Sequence, residues 1–284
     1  MISSSANAQI KYLVKLQEKG AARRADKVYV CEGRKMFGEV LQYARESIVK
    51  AYFSESFYTE WAKRSENAAD ASKMSEIGYE IVADHVFREI SKTVTPQGVL
   101  AIVRQPEYCL ETLLAPEKVL GQRQEPSALR LLLLENLRDP GNLGTILRTA
   151  EGAGMDGVIL SSESVDMFNP KVIRSTMGAI YRVPFVYVSD FLSMVSQLKQ
   201  QGIAVYAAHL EGASEYDTVK YPPRMAFMIG NEANGLTEEA AQAANVRIRI
   251  PMEGGVESLN AAVAAAVLMY EAYRQVRKGE NNTG

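Results

Sequence analysis

The chain is poor in the residues that carry metal and redox chemistry. It holds two cysteines, Cys31 and Cys109, and two histidines, His85 and His209, in 284 residues. So few, set so far apart, match neither a disulfide framework nor the clustered spacing of a zinc site. Reduced thiols and no bound metal are expected. No apolar run approaches the ~20 residues that span a bilayer. The opening MISSSANAQIKYLVKL lacks the cationic segment followed by an apolar one that marks a leader. A cytoplasmic protein with no membrane partner is expected. Excess charge is also missing: the net is -2 with 23% charged residues, so any surface that attracts nucleic acid has to be local. What remains is an ordinary globular composition, 47% hydrophobic, in a chain longer than one small core needs, and two domains are the expectation.

The residues present are organised around Leu131 to Leu160, LLLLENLRDPGNLGTILRTAEGAGMDGVIL. A short apolar run, a turn at Asp139-Pro140-Gly141, a helical segment from Asn142 to Ala153 and a second apolar run spell a strand-loop-helix-strand unit, the start of a parallel α/β sheet. Asn136, Arg138, Asn142 and Arg148 cluster at or near the end of the first strand, where open α/β sheets bind ligands.

Before this stretch lies a small α/β module, residues 1–105. Residues 8–27 read as one helix with Ile10, Leu13 and Val14 on one side, while Lys11, Lys15, Lys19, Arg23 and Lys27 recur every fourth residue. That stripe is either a solvated face or a set of phosphate contacts, and the spacing alone leaves both open. Strands are read at 28–33, 48–53, 79–82 and 99–104, with helices at 34–45, 55–65, 69–78 and 85–92. Trp61 and the tyrosines read as core residues. Thr95-Pro96-Gln97-Gly98 reads as a turn. Residues 106–128, with three prolines, read as the connection between domains, with a short helix near their centre. The second domain, 129–284, continues with strands at 157–160, 183–187, 203–208, 225–230 and 246–250 and helices at 170–178, 190–201, 237–243 and 259–277. Residues 209–220 read as a loop, and the tail 279–284 as frayed.

Three polar or glycine-rich blocks follow strands. The first, Asn136 to Arg148, has neither the G-x-G-x-x-G fingerprint nor a Walker lysine, which disfavours a nicotinamide or P-loop nucleotide. The second is Ile229-Gly230-Asn231-Glu232-Ala233-Asn234-Gly235-Leu236. The third is Ile250-Pro251-Met252-Glu253-Gly254-Gly255-Val256-Glu257-Ser258-Leu259-Asn260, where Ser258 taken alone reads as the cap of the last helix.

Together, N-x-R-D-P-G-N-x-G-x-x-x-R-T-A, then I-G-N-E-x-x-G-L, then I-P-M-x-G-x-x-E-S-L-N-x-x-x-A resemble the three signature motifs of the SpoU/TrmH family of RNA ribose 2′-O-methyltransferases, in order and across most of residues 130–275. The first module is similar to the substrate-binding domain of these enzymes, of the L30e/L7Ae RNA-binding type, through Asn7, Lys11, Glu32-Gly33 and Thr95-Pro96-Gln97-Gly98.

The resemblance implies a Rossmann-like parallel-sheet domain with a deep trefoil knot, and a homodimer whose active site lies near the subunit interface. It implies S-adenosylmethionine held by Ala208, His209, Leu210, Gly230, Asn231, Ile250, Met252, Ser258 and Leu259. Arg148 is then the catalytic candidate, with Asn142, Glu232, Ser258 and Asn260 placing it or the ribose. A guanidinium stays protonated at working pH and is a poor base, so Arg148 acts through a substrate phosphate or stabilises the developing alkoxide. RNA, ribosomal by analogy, would meet Arg138, Lys171, Arg174 and the stripe Lys11, Lys15, Lys19 and Arg23. Alternatives are a transfer-RNA 2′-O-methyltransferase, a silent RNA-binding or ribosome-assembly protein of the same fold, and the related knotted enzymes that methylate guanine. The S-L-N motif favours ribose chemistry.

Overall fold

The computed structural model describes residues 1–64, 77–114, 128–212 and 214–280. Two compact units emerge: Met1–Glu107 with Asp166–Tyr181, and Tyr108–Val165 with Arg182–Gly284. The segment Asp166–Tyr181 lies inside the second domain by sequence order yet packs with the first unit. The cause is long-range pairing. Arg23 Nε and Nη2 donate to Asp166 Oδ2 at 3.0 and 2.6 Å, the Tyr29 and Phe168 rings lie 5.1 Å apart, and the Tyr29 hydroxyl donates to the Tyr181 hydroxyl at 3.0 Å. Local composition carries no trace of such pairs. Of the expected connection 106–128, residues 115–127 lie outside the described residues.

The first unit is built on a four-stranded sheet of β1 (Val28–Glu32), β2 (Ile48–Ser54), β3 (Tyr79–Val82) and β4 (Val99–Arg104), in the order β1-β4-β2-β3. β1 and β2 both run antiparallel to β4, and β3 runs parallel to β2. The carboxyl ends of β1, β2 and β3 therefore share one edge, where α3 (Arg34–Tyr43), α4 (Glu55–Arg64) and α5 (Asp84–Ile90) begin. The helix expected at 69–78 lies almost wholly outside the described residues.

The expected helix 8–27 is two helices, α1 (Ala8–Glu18) and α2 (Gly20–Asp26). Lys19 between them is extended, at φ -111° and ψ 104°. α1 buries Ile10, Leu13 and Leu16 against Val28, Val30 and Tyr52. The break ends the four-residue rhythm, and Arg23 turns inward to only 4% exposure.

The second unit carries a seven-stranded, fully parallel sheet. Its strands are β5 (Leu129–Leu134), β6 (Gly157–Ser161), β7 (Phe185–Val188), β8 (Ala204–Ala208), β9 (Ser214–Glu215), β10 (Arg224–Ile229) and β11 (Val246–Arg249), in the order β7-β6-β5-β10-β8-β11-β9. The short β9 falls in the expected loop 209–220. Strands buried on both faces, such as Leu131 to Leu134, are what a parallel sheet requires. The chain leaves β5 outward through β6 and β7, then returns to its other side through β8 and β10, so β5 and β10 flank a topological switch point.

α6 (Leu110–Leu113), α7 (Pro140–Gly152), α8 (Pro170–Thr176), α9 (Phe191–Gln200), α10 (Glu238–Ala243) and α11 (Ala261–Glu280) complete the chain, α8 belonging to the first unit. Among the described residues no helix is long and apolar enough to cross a membrane.

Candidate active site at the switch point

Two buried or half-buried carboxylates fix the loops at the carboxyl ends of β5 and β10. Glu135, 7% exposed, follows the four leucines of β5 and accepts from Thr237 N at 2.8 Å and Thr237 Oγ1 at 2.7 Å. Thr237 in turn caps α10 by accepting from Ala240 N. Sequence reasoning missed Glu135, although a carboxylate abutting an apolar strand is the available signal, because a buried charge must be bonded. Asn136 adopts φ 55°, which asparagine tolerates, and its carbonyl accepts from Asn231 Nδ2 at 2.8 Å.

The loop after β10 doubles back on itself. Asn231 N donates to Gly235 O and Gly235 N to Asn231 O, both at 2.9 Å. This closure demands glycine at 230, since a Cβ there would lie 2.0 Å from the carbonyl carbon of Gly235. The folded loop delivers Glu232 to the start of α7. Its Oε2 accepts from Arg138 N at 3.0 Å, and its Oε1 accepts from Asp139 N at 2.8 Å and Asn142 Nδ2 at 3.0 Å. Burial alone would raise the Glu232 carboxyl, but these donors outweigh it and hold it below the ordinary carboxylate range.

Asn142 hands the network on: its Oδ1 accepts from Asn260 Nδ2 at 3.0 Å. Asn260 Oδ1 caps α11 by accepting from Ala262 N at 2.9 Å, so Asn260 and not Ser258 is the cap, and α11 begins two residues later than its apolar pattern suggests. Freed from capping, the exposed Ser258 lines the cavity beside this network.

That cavity measures about 530 Å³ and is formed by the ends of β8, β10 and β11, the loop 230–236 and the approach to α11. Its lining includes all nine residues expected for the cofactor: Ala208, His209, Leu210, Gly230, Asn231, Ile250, Met252, Ser258 and Leu259. It also presents Glu211, Glu232, Glu238 and Glu257 and, among the described residues, no lysine or arginine. Glu238 is paired with Arg247 at 2.6 Å. Ile229, Ile248, Leu259 and Leu268 give an apolar floor. A cationic ligand with a flat apolar part fits such a lining, and S-adenosylmethionine, with a sulfonium, an ammonium and an adenine, is of that kind.

Arg148 stands apart from this assembly. It is exposed on α7, six residues beyond Asn142, and neither lines the cavity nor joins the Asn142–Glu232–Asn260 network. Arg138 is exposed at the network's edge. Lys171 and Arg174, expected beside the site, belong to the first unit, where Arg174 Nη1 lies 3.9 Å from the buried Glu32 carboxylate. Lys11, Lys15 and Lys19 are exposed there. Arg23 is not, since its guanidinium is spent on Asp166 and on the carbonyls of Leu16 and Gln17. The expectation that Arg23 meets RNA is thereby corrected.

Comparison with known proteins settles the lineage. The SpoU rRNA Methylase family model matches residues 130–270, and that of the MRM3-like substrate binding domain matches residues 7–101. The chain is 30% identical over 269 residues to the 23S rRNA (guanosine(2553)-2′-O)-methyltransferase RlmP of Bacillus subtilis, covering 95% of this chain and 97% of that protein. The chain belongs to the SpoU/TrmH family of RNA methyltransferases. A putative RNA methyltransferase of the TrmH family from Porphyromonas gingivalis superposes with a TM-score of 0.75 at 29% identity, over 96% of this chain and all of that one. The AdoMet-bound rRNA methyltransferase of Sinorhizobium meliloti does so at 0.77 and 27% identity, over 97% of each chain. The Glu232 loop and the cavity beside it lie within the residues that the SpoU rRNA Methylase model matches.

Proposed function

We propose that this protein transfers a methyl group from S-adenosylmethionine to a ribose 2′-hydroxyl of ribosomal RNA in the cytoplasm. The observation that carries this reading is the junction of a carboxylate-lined cavity with a polar relay, Glu232–Asn142–Asn260, at a topological switch point. When bound, the cofactor supplies an electrophilic methyl carbon on a positive sulfur. Glu211 and Glu257 favour its cationic parts by charge, while Ile248, Ile250 and Leu259 cover its apolar part. Glu232 holds Asn142 so that its amide, Asn260 and Ser258 face the ribose. Such positioning converts a collision between two molecules into a reaction within one complex.

Arg148 acts as the electrostatic partner of the ribose 2′-oxygen, whose proton leaves to a phosphate oxygen of the RNA or to solvent as the bond from oxygen to the methyl carbon forms and the bond from that carbon to sulfur breaks. Because it lies outside the relay of its own chain, we assign it to the site of a second copy in a homodimer. Two features favour that pairing. On α7 the exposed positions Thr145, Arg148 and Gly152 fall on one stripe. On α11, which packs on α7, Val263 and Tyr270 are exposed at 49% and 48%. The backbone through β10, β11 and α11 is taken to form the family's trefoil knot around the cavity.

Arg148→Ala tests the reading. Methyl transfer to in vitro transcribed 23S rRNA is expected to fall by ~10²–10³, the cost of removing one charge-stabilising donor, with cofactor affinity retained. Unchanged turnover would sink the assignment. Mapping 2′-O-methyl sites in ribosomal RNA from cells with and without the gene identifies the nucleotide.

A further inference from the structure

The loop that meets Glu232 has a second support, outside the cavity. β6 is followed by two buried hydroxyls that packing does not explain. Ser161, 2% exposed, closes the strand, and Ser164, 8% exposed, stands in the turn after it, its N–H donating to the Ser161 carbonyl at 3.0 Å. A buried hydroxyl costs free energy unless it is bonded. Here both are bonded to one target, the start of the loop after β5.

Asn136 N donates to Ser161 Oγ at 2.8 Å, and Leu137 N donates to Ser164 Oγ at 3.2 Å. Ser161 Oγ donates in return to Asn136 Oδ1 at 3.1 Å. The two hydroxyl oxygens lie 3.2 Å apart. Because a serine has one proton and that of Ser161 goes to Asn136, Ser164 is the donor between them. Both hydroxyl protons are then used and both backbone N–H groups are satisfied. The clasp explains how Asn136 keeps its φ of 55°, a conformation that persists in a residue other than glycine only where its surroundings over-determine it. On the next residue, the Leu137 carbonyl accepts from Val165 N at 2.8 Å.

The consequence falls just beyond. The N–H groups of residues 136 to 139 are held in two pairs, the first by the serines and the second by Glu232, at 3.0 Å from Arg138 and 2.8 Å from Asp139. Peptide planes are rigid, so fixing 136 and 137 leaves little freedom to turn the next two N–H groups away from Glu232. We infer that Ser161 and Ser164 are positioning residues for methyl transfer: they set the backbone that meets Glu232, and Glu232 in turn holds Asn142. Neither serine lines the cavity, so they act on the ribose side of the reaction and not on the hold of the cofactor. This inference rests on the methyltransferase reading of the relay.

The test uses the full chain. Single-turnover methylation of in vitro transcribed 23S rRNA is expected to fall by ~10- to 100-fold in Ser161→Ala, up to the loss that a misplacement of about 1 Å gives. Ser164→Ala, which leaves Asn136 clasped, is expected to lose less. Affinities for S-adenosylmethionine and for RNA stay unchanged, so the loss lies in kcat and not in KM. Ser161→Thr keeps the hydroxyl and is expected to recover turnover. Ser161→Cys, close to serine in shape but a weak hydrogen-bonding group, serves if Ser161→Ala fails to fold. In a Glu232→Gln background Ser161→Ala is expected to cost less than about threefold more, since groups that act as a unit are not additive. Hydrogen exchange followed by NMR gives a readout free of activity: the Arg138 and Asp139 N–H groups should exchange about tenfold faster or more in Ser161→Ala. Unaltered turnover or unaltered exchange in the folded variants, or losses that multiply in full with Glu232→Gln, overturns the inference, while methylation by the unmodified chain leaves the active-site reading standing. Faster exchange in the variants of a chain that methylates no RNA would keep the support of the loop and sink the active-site reading.

Discussion

Both units place a crevice at the carboxyl edge of parallel strands, and the two crevices are chemical opposites. In the second unit the lining offers, among the described residues, four carboxylates, an apolar floor and no basic side chain. In the first unit it offers two arginines over aromatic and apolar surface, with the nearby backbone N–H groups and carboxylates already bonded. Strand topology sets where a crevice forms; the side chains at its rim set what enters. One edge is therefore read as the seat of a cationic donor and the other as part of the unit's RNA-binding surface.

The contrast is broken most severely at Gly230. The cavity of the second unit depends on the loop 230–236 closing to within a distance that no Cβ allows. Gly230→Ala is expected to abolish measurable S-adenosylmethionine binding by calorimetry while leaving RNA affinity in place. If the variant bound the cofactor normally, backbone approach at this loop would not be what shapes the cavity.

The lining of that cavity was legible in the sequence because its parts are local. Gly230, Glu232, Ser258 and Asn260 sit in short blocks after strands, and the structure gathers them as the motifs suggest. Errors arose where a residue's fate depends on a distant partner. Arg23 fits a surface stripe by spacing, yet Asp166, far along the chain, draws it inside. Removing one member of such a pair strands the other, which is why the pair is structural and not a contact for RNA. Glu135 was overlooked for the same reason, since its role appears only when Thr237 arrives. Ser258 lost its capping role to Asn260, two residues on, a shift finer than apolar periodicity resolves.

Glu232→Gln sharpens the comparison at moderate cost. The carboxylate faces three donors, and an amide would turn its own N–H₂ toward some of them. Hydrogen bonds to charged groups contribute about 1.5–3 kcal/mol, so methyl transfer is expected to drop about ten- to a hundredfold, in a single-turnover assay. The pH dependence has a definite sign. Because the folded-state pKa lies below the ordinary 4.5, the carboxylate's stabilisation is fully present above 4.5 and is lost as pH falls through the lower folded value. Thermal denaturation of wild type and Glu232→Gln from pH 7 downward should converge only in that acid window. Convergence already at pH 6 would mean that Glu232 is not held ionised by these donors.

The smallest effect is expected from the exposed lysines of the first unit. With Arg23 removed from the stripe and α1 ending before Lys19, only Lys11 and Lys15 remain as neighbours on one helical face. Exposed cations of this kind attract phosphate without reading sequence, and each phosphate contact contributes about one to the salt slope. The double variant Lys11→Ala, Lys15→Ala is expected to weaken 23S rRNA binding severalfold and to lower the slope of log affinity against log salt by about two if both touch phosphate. An unchanged slope would leave α1 a solvated face, and would put the first unit's hold on RNA at the crevice edge alone.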